Sequence, residues 1–329
     1  MSFLKTTLDN PLFAEPHSLV LDNGASLEFL DTGILRVSPE RASAKQQSDY
    51  RVVISCGVHG NETAPIEIVE QLFTEIKNGL LLVENELLFV IGNPPAINQE
   101  TRFVDENLNR LFSGKHTASR SQEAKRAELI EAHVEDFFQQ GDEQRLHYDL
   151  HTAIRASEME KFAVYPYLHD QSWSKSQLAF LERCGLEAVL LSNKPAGTFS
   201  YFTSNRFGAD SFTLELGKVR KFGENDMASF EKSIQGLRDL ISGKESFADK
   251  PNKIQVFEVV EEVIKRSDNF KLHFADDAKN FTAFPKGYVL ATDIRYEYRT
   301  RLDGERFVFP IANVPVGQRA MLVVAPTTL

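Results

Sequence analysis

The chain has 329 residues, 42% of them hydrophobic and 26% charged, which is an ordinary composition for a globular protein. With 37 lysine and arginine against 47 aspartate and glutamate residues, the formal net charge is −10, so there is no general electrostatic case for nucleic acid or an anionic membrane as partner. Two cysteines in a chain of this length argue against a disulfide scaffold, and no long apolar segment is present, so we expect a cytoplasmic protein.

The first two-thirds of the chain alternates short apolar runs with longer segments of helical periodicity. Strands are predicted at 51–56, 87–92, 146–150, 161–166, 187–191 and 211–216. Helices are predicted at 63–77, 121–139, 174–184 and 225–243. This alternation indicates an α/β domain with a mixed or mostly parallel sheet, in which ligands gather beyond the carboxyl ends of the strands.

The pattern changes after Gly243. Residues 244–253 are polar, contain proline and are predicted to be a linker between a domain at 1–243 and a smaller β-rich domain at 254–329. Strand-like runs in the second domain cover 254–264, 288–294, 306–311 and 319–325, and Asp303-Gly304 is a turn signal between two of them. We expect the small domain to cover or rim the site on the larger one.

Three residues, His59, Glu62 and His151, have the ligand types of a catalytic zinc site. His59 and Glu62 lie three positions apart in a loop after the first predicted strand, and His151 closes the third predicted strand. Two imidazoles and one carboxylate leave the fourth position of zinc open for water, which is typical of catalytic rather than structural sites. The sequence therefore predicts one Zn²⁺ ion per chain.

A simpler interpretation of these residues stays open. His-x-x-Glu occurs often by chance, and the charge of Glu62 could merely stabilise the start of the following helix. Glycines on both sides of His59 and the second strand-end histidine favour the metal site. His147 lies on the same strand face as His151 and is a weaker candidate. The remaining histidines have no comparable setting; they are His17, His116, His133, His169 and His273.

Glu215 lies in the apolar segment SFTLELGK, between Leu214 and Leu216. A carboxylate in this position is either an edge-strand residue that faces water or a general base whose pKa is raised by partial burial. Metal-assisted hydrolysis needs such a base, because a proton must reach the leaving amine. The sequence leaves both interpretations open.

Residues 92–112, GNPPAINQETRFVDENLNRLF, are predicted to form a long irregular connection, because they combine paired prolines with several asparagines. Arg102, Asn109 and Arg110 lie in this segment. Arginine suits carboxylates because its planar fork donates two parallel hydrogen bonds. The two arginines are therefore either solvated surface charges or binding groups for an anionic substrate.

Four motifs together resemble the zinc carboxypeptidase superfamily and, within it, the aspartoacylase/succinylglutamate desuccinylase branch. They are HGNE at 59–62, the loop that ends in NLNR at 107–110, DLH at 149–151 and TLELG at 213–217. The resemblance covers nearly the whole chain, and DLHTAIRASEMEKFAVYPY and LELGKVRKFGEND are similar to the bacterial desuccinylases of the branch. It implies a zinc-carboxypeptidase-like mixed sheet flanked by helices, with a smaller β-rich C-terminal domain.

The resemblance also implies roles for individual residues. The zinc ligands would be His59, Glu62 and His151, with Glu215 as general base. Arg102 would polarise the scissile carbonyl and stabilise the oxyanion, while Asn109 and Arg110 would hold the α-carboxylate of a small anionic N-acyl amino acid.

The motifs depart from the branch at one position, because many relatives have aspartate where this chain has Asn107. That difference puts a supporting contact in doubt. The cation that binds the carboxylate of the acyl chain is not identified; the candidates are Arg155, Lys161, Arg206 and Lys218.

The activity that the resemblance implies is hydrolysis of N-succinyl-L-glutamate to succinate and L-glutamate, the last step of the arginine succinyltransferase pathway of arginine catabolism. Two alternatives remain. One is an aspartoacylase-like deacylase of another N-acyl amino acid or a peptide C-terminus, and the other is a non-catalytic anion-binding protein. The oligomeric state is left open.

Overall fold

A computed structural model of the chain describes residues 1–40, 49–169, 171–245, 247 and 249–328. Residues 246 and 248 of the predicted linker lie outside this range. Across the described residues, thirteen strands form one mixed sheet and three more form a small antiparallel sheet.

The strands are β1 (His17–Val20), β2 (Ser26–Asp31), β3 (Ile34–Ser38), β4 (Tyr50–Cys56), β5 (Glu86–Ile91), β6 (Gln144–Ala153), β7 (Phe162–Tyr165), β8 (Ala188–Leu191), β9 (Asp210–Lys218), β10 (Gln255–Ile264), β11 (Lys271–Leu272), β12 (Ala283–Phe284), β13 (Val289–Asp293), β14 (Tyr296–Arg299), β15 (Glu305–Val308) and β16 (Arg319–Pro326). The helices are α1 (Phe3–Asp9), α2 (Thr63–Lys77), α3 (Pro94–Asn98), α4 (Gln122–Gln139), α5 (Lys175–Arg183), α6 (Phe199–Phe207) and α7 (Glu231–Ile241), with short 3₁₀ turns at Leu108–Arg110, Lys115–Ala118 and Met227–Phe230.

The predicted α/β class is confirmed, and every predicted strand and helix has a counterpart. The sequence patterns did not predict α1, β1 to β3, α3, α6, β11, β12 and β14, which are short elements. The loop at 92–112 is less irregular than predicted, because α3 forms within it. The side chain of Asn93 accepts a hydrogen bond from the Ala96 N–H, and the two prolines occupy the first helical positions, where a missing N–H costs nothing.

The large sheet has the order β1-β2-β3-β5-β4-β6-β9-β7-β8-β10-β16-β15-β12. Its centre consists of four parallel strands, β5, β4, β6 and β9, so their carboxyl ends lie along one edge. β10 pairs with β8 in parallel, and the C-terminal strands therefore continue the same sheet.

Helices cover both faces of the sheet, as the apolar strands require. On one face, Phe73 of α2, Phe180 of α5 and Leu237 of α7 belong to a single buried cluster. On the other face, Phe138 of α4 and Phe199 of α6 pack in a second cluster. No helix in the described part of the chain is long and apolar enough to cross a membrane.

Candidate active site

The loop after β4 positions His59 and Glu62. The chain leaves the strand through Gly57, whose φ of +62° favours glycine, and Gly60 passes so close to α3 that a Cβ there would lie 2.2 Å from the carbonyl carbon of Ala96. Glu62 directly precedes α2 but makes no side-chain hydrogen bond to the start of that helix. Glu62 is the N-cap residue of α2, where its charge can stabilise the helix, but its carboxylate accepts from the Thr152 N–H and contacts both histidines instead of capping the helix.

His151 comes from the neighbouring strand and meets this loop. It was predicted to close its strand, but β6 continues two residues further, to Ala153. One potential ligand atom from each of His59, Glu62 and His151 lies within 4.8 Å of the others. The three residues are 4%, 2% and 1% exposed, so the cluster is almost fully shielded from bulk water.

Each histidine is held by its outer ring nitrogen. Nε2 of His59 lies 3.0 Å from Asn107 Oδ1, and Nε2 of His151 lies 2.8 Å from Asp149 Oδ2. Both oxygens accept, so each Nε2 carries the proton and each Nδ1 faces Glu62 at 2.9 Å. Histidine ligands of metals are typically oriented by such an outer hydrogen bond.

The polar atoms inside the cluster fit a cation. Nδ1 of His59 is buried without a hydrogen-bond partner although Glu62 Oε1 is close to it. Burial lowers the pKa of His59 to about 4, so its imidazole is neutral at pH 7 and can ligate. A divalent cation at this point would bind the unpartnered nitrogen and one oxygen of the carboxylate.

Without a bound cation, His151 and Glu62 share a proton. Burial alone would lower the pKa of His151, but the carboxylates of Asp149 and Glu62 on either side raise it well above its usual value. Burial alone would raise the pKa of Glu62, but the charges and hydrogen bonds of the two histidines hold it well below its usual value. Metal binding here should therefore release a proton from His151.

Glu215 stands beside the cluster. It lies in β9 directly opposite His151 of β6, in the middle of the sheet, and is 8% exposed. It is therefore not an edge-strand residue that faces water. Its Oε2 has no hydrogen-bond partner, and burial, reinforced by the negative charge of Glu62, raises its pKa to about 7. A buried carboxyl with a free oxygen and a pKa near neutrality suits a general base.

The loop between α3 and α4 carries the three remaining predicted site residues. Nη1 of Arg102 donates to Glu62 Oε1 at 2.7 Å, and the Arg102 carbonyl accepts from the Gly60 N–H at 3.2 Å. Oδ1 of Asn109 accepts from the Phe199 N–H at 2.9 Å, which leaves its Nδ2 donors for a ligand. Arg110 is exposed next to Asn109. The structure thus brings Arg102 into contact with the cluster and places Asn109 and Arg110 further along the same loop.

Glu123 has a part in the site that its sequence pattern did not predict. Its carboxylate, 1% exposed in the first turn of α4, accepts hydrogen bonds from the backbone N–H groups of Val104, Asp105 and Glu106 and from the Asn93 side chain, at 2.7 to 3.4 Å. These contacts hold the arginine-bearing loop against the helix. The only sequence signal for them is an acidic residue in a first helical turn, which is common.

Two further residues were missed as histidine supports. Asp149 is two positions before His151, on the same face of β6, so strand alternation could have identified it. Asn107 was noted only as a departure from the motif of the relatives, and the structure shows that the supporting contact in question is the one to His59.

The weaker candidates for a metal ligand or for a carboxylate-binding cation lie outside the cluster of His59, Glu62 and His151. His147 is fully buried and contacts Ser55 Oγ and Thr203 Oγ1, each at 2.8 Å. The cations considered for the acyl carboxylate are engaged elsewhere or sit at a strand end: Arg155 donates to Ala278 O, Lys161 to Ser229 O and Arg206 to Glu135, and Lys218 is exposed at the end of β9.

Comparison with family models matches this chain in two segments. Residues 48–241 match the succinylglutamate desuccinylase/aspartoacylase catalytic domain, and residues 252–327 match the AstE/AspA barrel-sandwich hybrid domain. Together the two segments span most of the chain and contain every residue of the site.

Individual proteins match over nearly the full length. A protein named succinylglutamate desuccinylase from Pseudoalteromonas atlantica is 47% identical over 97% of this chain and 92% of its own length, and one from Idiomarina loihiensis is 47% identical over 94% and 91%. Among solved structures, the succinylglutamate desuccinylase of Vibrio parahaemolyticus superimposes with a TM-score of 0.91 at 36% identity, covering 100% of this chain and 96% of that one. The enzyme from Chromobacterium violaceum gives a TM-score of 0.88 at 40% identity, covering 100% and 98%.

Proposed function

This chain belongs to the succinylglutamate desuccinylase/aspartoacylase family, and from that membership we propose that it hydrolyses N-succinyl-L-glutamate to succinate and L-glutamate with zinc as cofactor. The observation that carries the proposal is the buried cluster of His59, Glu62 and His151 with the unpartnered carboxyl of Glu215 directly beside it. A protein that only bound anions would have no use for a base in this position.

His59, Glu62 and His151 would hold one Zn²⁺ ion per chain, because two imidazoles and a carboxylate are a donor set that zinc accepts. Bound there, zinc supplies Lewis-acid chemistry, polarising the scissile carbonyl and lowering the pKa of water. The outer contacts to Asn107 and Asp149 keep both Nδ1 atoms directed inward.

Glu215 moves the proton. With its pKa near neutrality it can take a proton from the attacking water and then donate it to the glutamate nitrogen as the C–N bond breaks. Without that second transfer the leaving group would be an amide anion, which is a very poor leaving group.

Arg102 and the rest of its loop act on the substrate. Arg102 lies within reach of the cluster and would donate to the carbonyl oxygen as negative charge develops on it. Asn109 and Arg110 would bind the α-carboxylate, which keeps its charge throughout the reaction.

The proposal includes a setting for the enzyme. We assign it to the last step of the arginine succinyltransferase pathway, in the cytoplasm, where two buried cysteines, Cys56 and Cys184, would stay unpaired. We also assign the catalytic domain to residues 1–243 and the β-rich domain to residues 254–329; the two matched family segments support this division.

The test is release of L-glutamate from N-succinyl-L-glutamate by the purified protein, before and after chelation and after zinc is added back. Activity that chelation removes and zinc restores is the expected result. A zinc-loaded protein that does not cleave this substrate would contradict the substrate assignment while leaving the metal site intact.

A parallel assay with N-acetyl-L-glutamate and N-acetyl-L-aspartate separates the nearest alternative, a deacylase of other N-acyl amino acids. We expect a large preference for the succinyl substrate. A zinc-loaded protein that cleaves none of the three would instead favour the non-catalytic alternative.

A further inference from the structure

Two arginines near the site, Arg110 and Arg319, have guanidinium N–H groups that donate to no other side chain among the described residues. The Arg110 guanidinium donates to the carbonyl of the adjacent Asn109 at 2.7 Å and, within the described residues, to nothing else. Arg319, at the start of β16 in the C-terminal domain, makes no side-chain hydrogen bond to any described residue. Its nearest carboxylate, Glu262, is 4.0 Å away, at the limit of an ion pair.

A short loop after β8 places Arg319 on the Arg110 side of the site. At one end of this loop, Gly197 packs so tightly on Arg110 that a Cβ would lie 2.5 Å from the Arg110 carbonyl oxygen. At the other end, Lys194 Nζ lies 2.8 Å from Glu262 Oε2, and the second oxygen of Glu262 faces Arg319. Three residues of chain span at most about 11 Å, so both arginines border one region of the surface.

The charges in this region are not balanced by the protein. Lys194 and Arg319 share the carboxylate of Glu262, which is also close enough to Arg110 to interact with its charge. Reduced solvation, together with the positive charges of Arg319 and Arg102, lowers the pKa of Arg110 to about 10. Holding like charges near one another costs free energy, and a bound anion would remove that cost.

We infer that Arg319 binds a second carboxylate of the substrate while Arg110 binds the first. This inference rests on the proposed function, because N-succinyl-L-glutamate carries two carboxylates besides the α-carboxylate: one on the succinyl chain and one on the glutamate side chain. Arg319 thus gives the C-terminal domain a direct part in selecting multiply charged substrates.

The experiment compares Arg319→Gln with Arg301→Gln as a matched control. Arg301 also belongs to the C-terminal domain and pairs with a glutamate of β10, Glu261, at 2.6 Å. Because Glu261 and Glu262 are neighbours in a strand, their side chains point to opposite faces, so the control arginine is directed away from Arg319. Melting temperatures of both variants verify that they fold.

Three substrates identify the carboxylate: N-succinyl-L-glutamate, N-acetyl-L-glutamate, which lacks the succinyl carboxylate, and N-succinyl-L-alanine, which lacks the side-chain carboxylate. Arg319→Gln should lower kcat/KM for the first about 10- to 100-fold, mainly through KM, because a charged hydrogen-bonded contact is lost. The loss should vanish for the substrate that lacks the contacted carboxylate. An equal loss on all three, or no loss on the first, would overturn the inference.

A binding measurement separates this inference from the proposed function. In zinc-loaded Glu215→Gln protein, calorimetry gives the Kd for N-succinyl-L-glutamate with and without Arg319→Gln. A similar 10- to 100-fold weakening is expected even if the wild-type protein does not cleave this compound. An unchanged Kd would refute the role of Arg319 whatever the activity.

Discussion

The metal-ligand cluster and the arginine-bearing loop are neighbours, but they are constructed in different ways. Every member of the cluster is at most 4% exposed, lies in a central strand or in the loop that follows one, and contacts another buried polar group. The loop at 101–110 has little regular structure, and Arg110 at its end is exposed. The carboxylate of Glu123 holds the middle of this loop from outside the site.

This difference indicates a division of labour. In the proposed mechanism, the strand ends hold the groups that carry out bond breaking and need fixed positions, whereas the loop and the C-terminal domain would hold the groups that recognise the substrate. We therefore expect substitutions in the cluster to lower kcat or metal affinity, and substitutions in the loop to act mainly on KM, except at Arg102, which contacts Glu62 directly.

Glu215→Gln should have the largest effect. The amide keeps the shape of the side chain but cannot take a proton, so kcat should fall about 10²- to 10⁴-fold with zinc content unchanged. Steady-state kinetics with metal analysis of the same sample measure this. A variant with near wild-type turnover would remove Glu215 from the mechanism.

Arg102 and Arg110 test the division inside the loop. Arg102→Ala should lower kcat about 10²- to 10³-fold, because its contact strengthens as the oxyanion forms. Arg110→Ala should mainly raise KM, because the α-carboxylate is bound equally in the ground and transition states. The contrast fails if Arg110→Ala lowers turnover while KM stays at the wild-type value.

Substitutions of the two residues that support the histidines, Asp149 and Asn107, should shift zinc affinity in opposite directions. Asp149→Asn should weaken zinc binding about 10- to 100-fold, while Asn107→Asp should tighten it by a smaller factor, because a carboxylate acceptor makes the ligating imidazole more basic. Competition with a chromophoric chelator measures both constants. Asn98→Asp, an exposed asparagine elsewhere, controls for the added charge. Equal affinities for all the proteins would show that the outer contacts do not matter.

Glu123→Gln should raise KM about tenfold with a smaller change in kcat. An amide cannot accept hydrogen bonds at both positions, so part of the backbone at 104–106 loses its partner and the loop loosens. Glu131→Gln is the matched control. Glu131 also lies in α4 and accepts a hydrogen bond from the N–H of Gly114, which lies outside the 101–110 segment that carries the arginines. If both variants behave alike, Glu123 has no special part in positioning the loop.

The smallest expected effect is on the thermal stability of the metal-free protein. Burial raises the pKa of Glu215 from 4.5 to about 7, so between these values the folded protein keeps a proton that the unfolded chain gives up. The free energy of unfolding contributed by this group therefore falls as pH rises through that window. In the presence of a chelator, the melting temperature of Glu215→Gln should drop a few degrees less than wild type between pH 5 and pH 8. Parallel curves for the two proteins would contradict the raised pKa.

Much of the fold was predictable because its signals are local. The 63–77 helix has the predicted bounds, and the central strands differ from prediction by three residues or fewer, since periodicity marks long buried elements clearly. The elements that were not predicted also have local causes. α1 and α3 are too short to show a helical period, and α3 depends on a cap and two prolines that also favour turns.

The sequence by itself singled out the three candidate ligands that the structure brings together, because His59 and Glu62 are close in the chain and His151 carries a short motif of its own. Only the tertiary structure decided that Glu215 is buried opposite His151, that Glu123 supports the arginine-bearing loop, and that Arg319 comes from β16 to the side of Arg110. These relations depend on which strands are neighbours in the sheet. An apolar pattern shows that a strand is buried, but it does not specify the strand beside it, so contacts between distant parts of the chain could not be read from the residues alone.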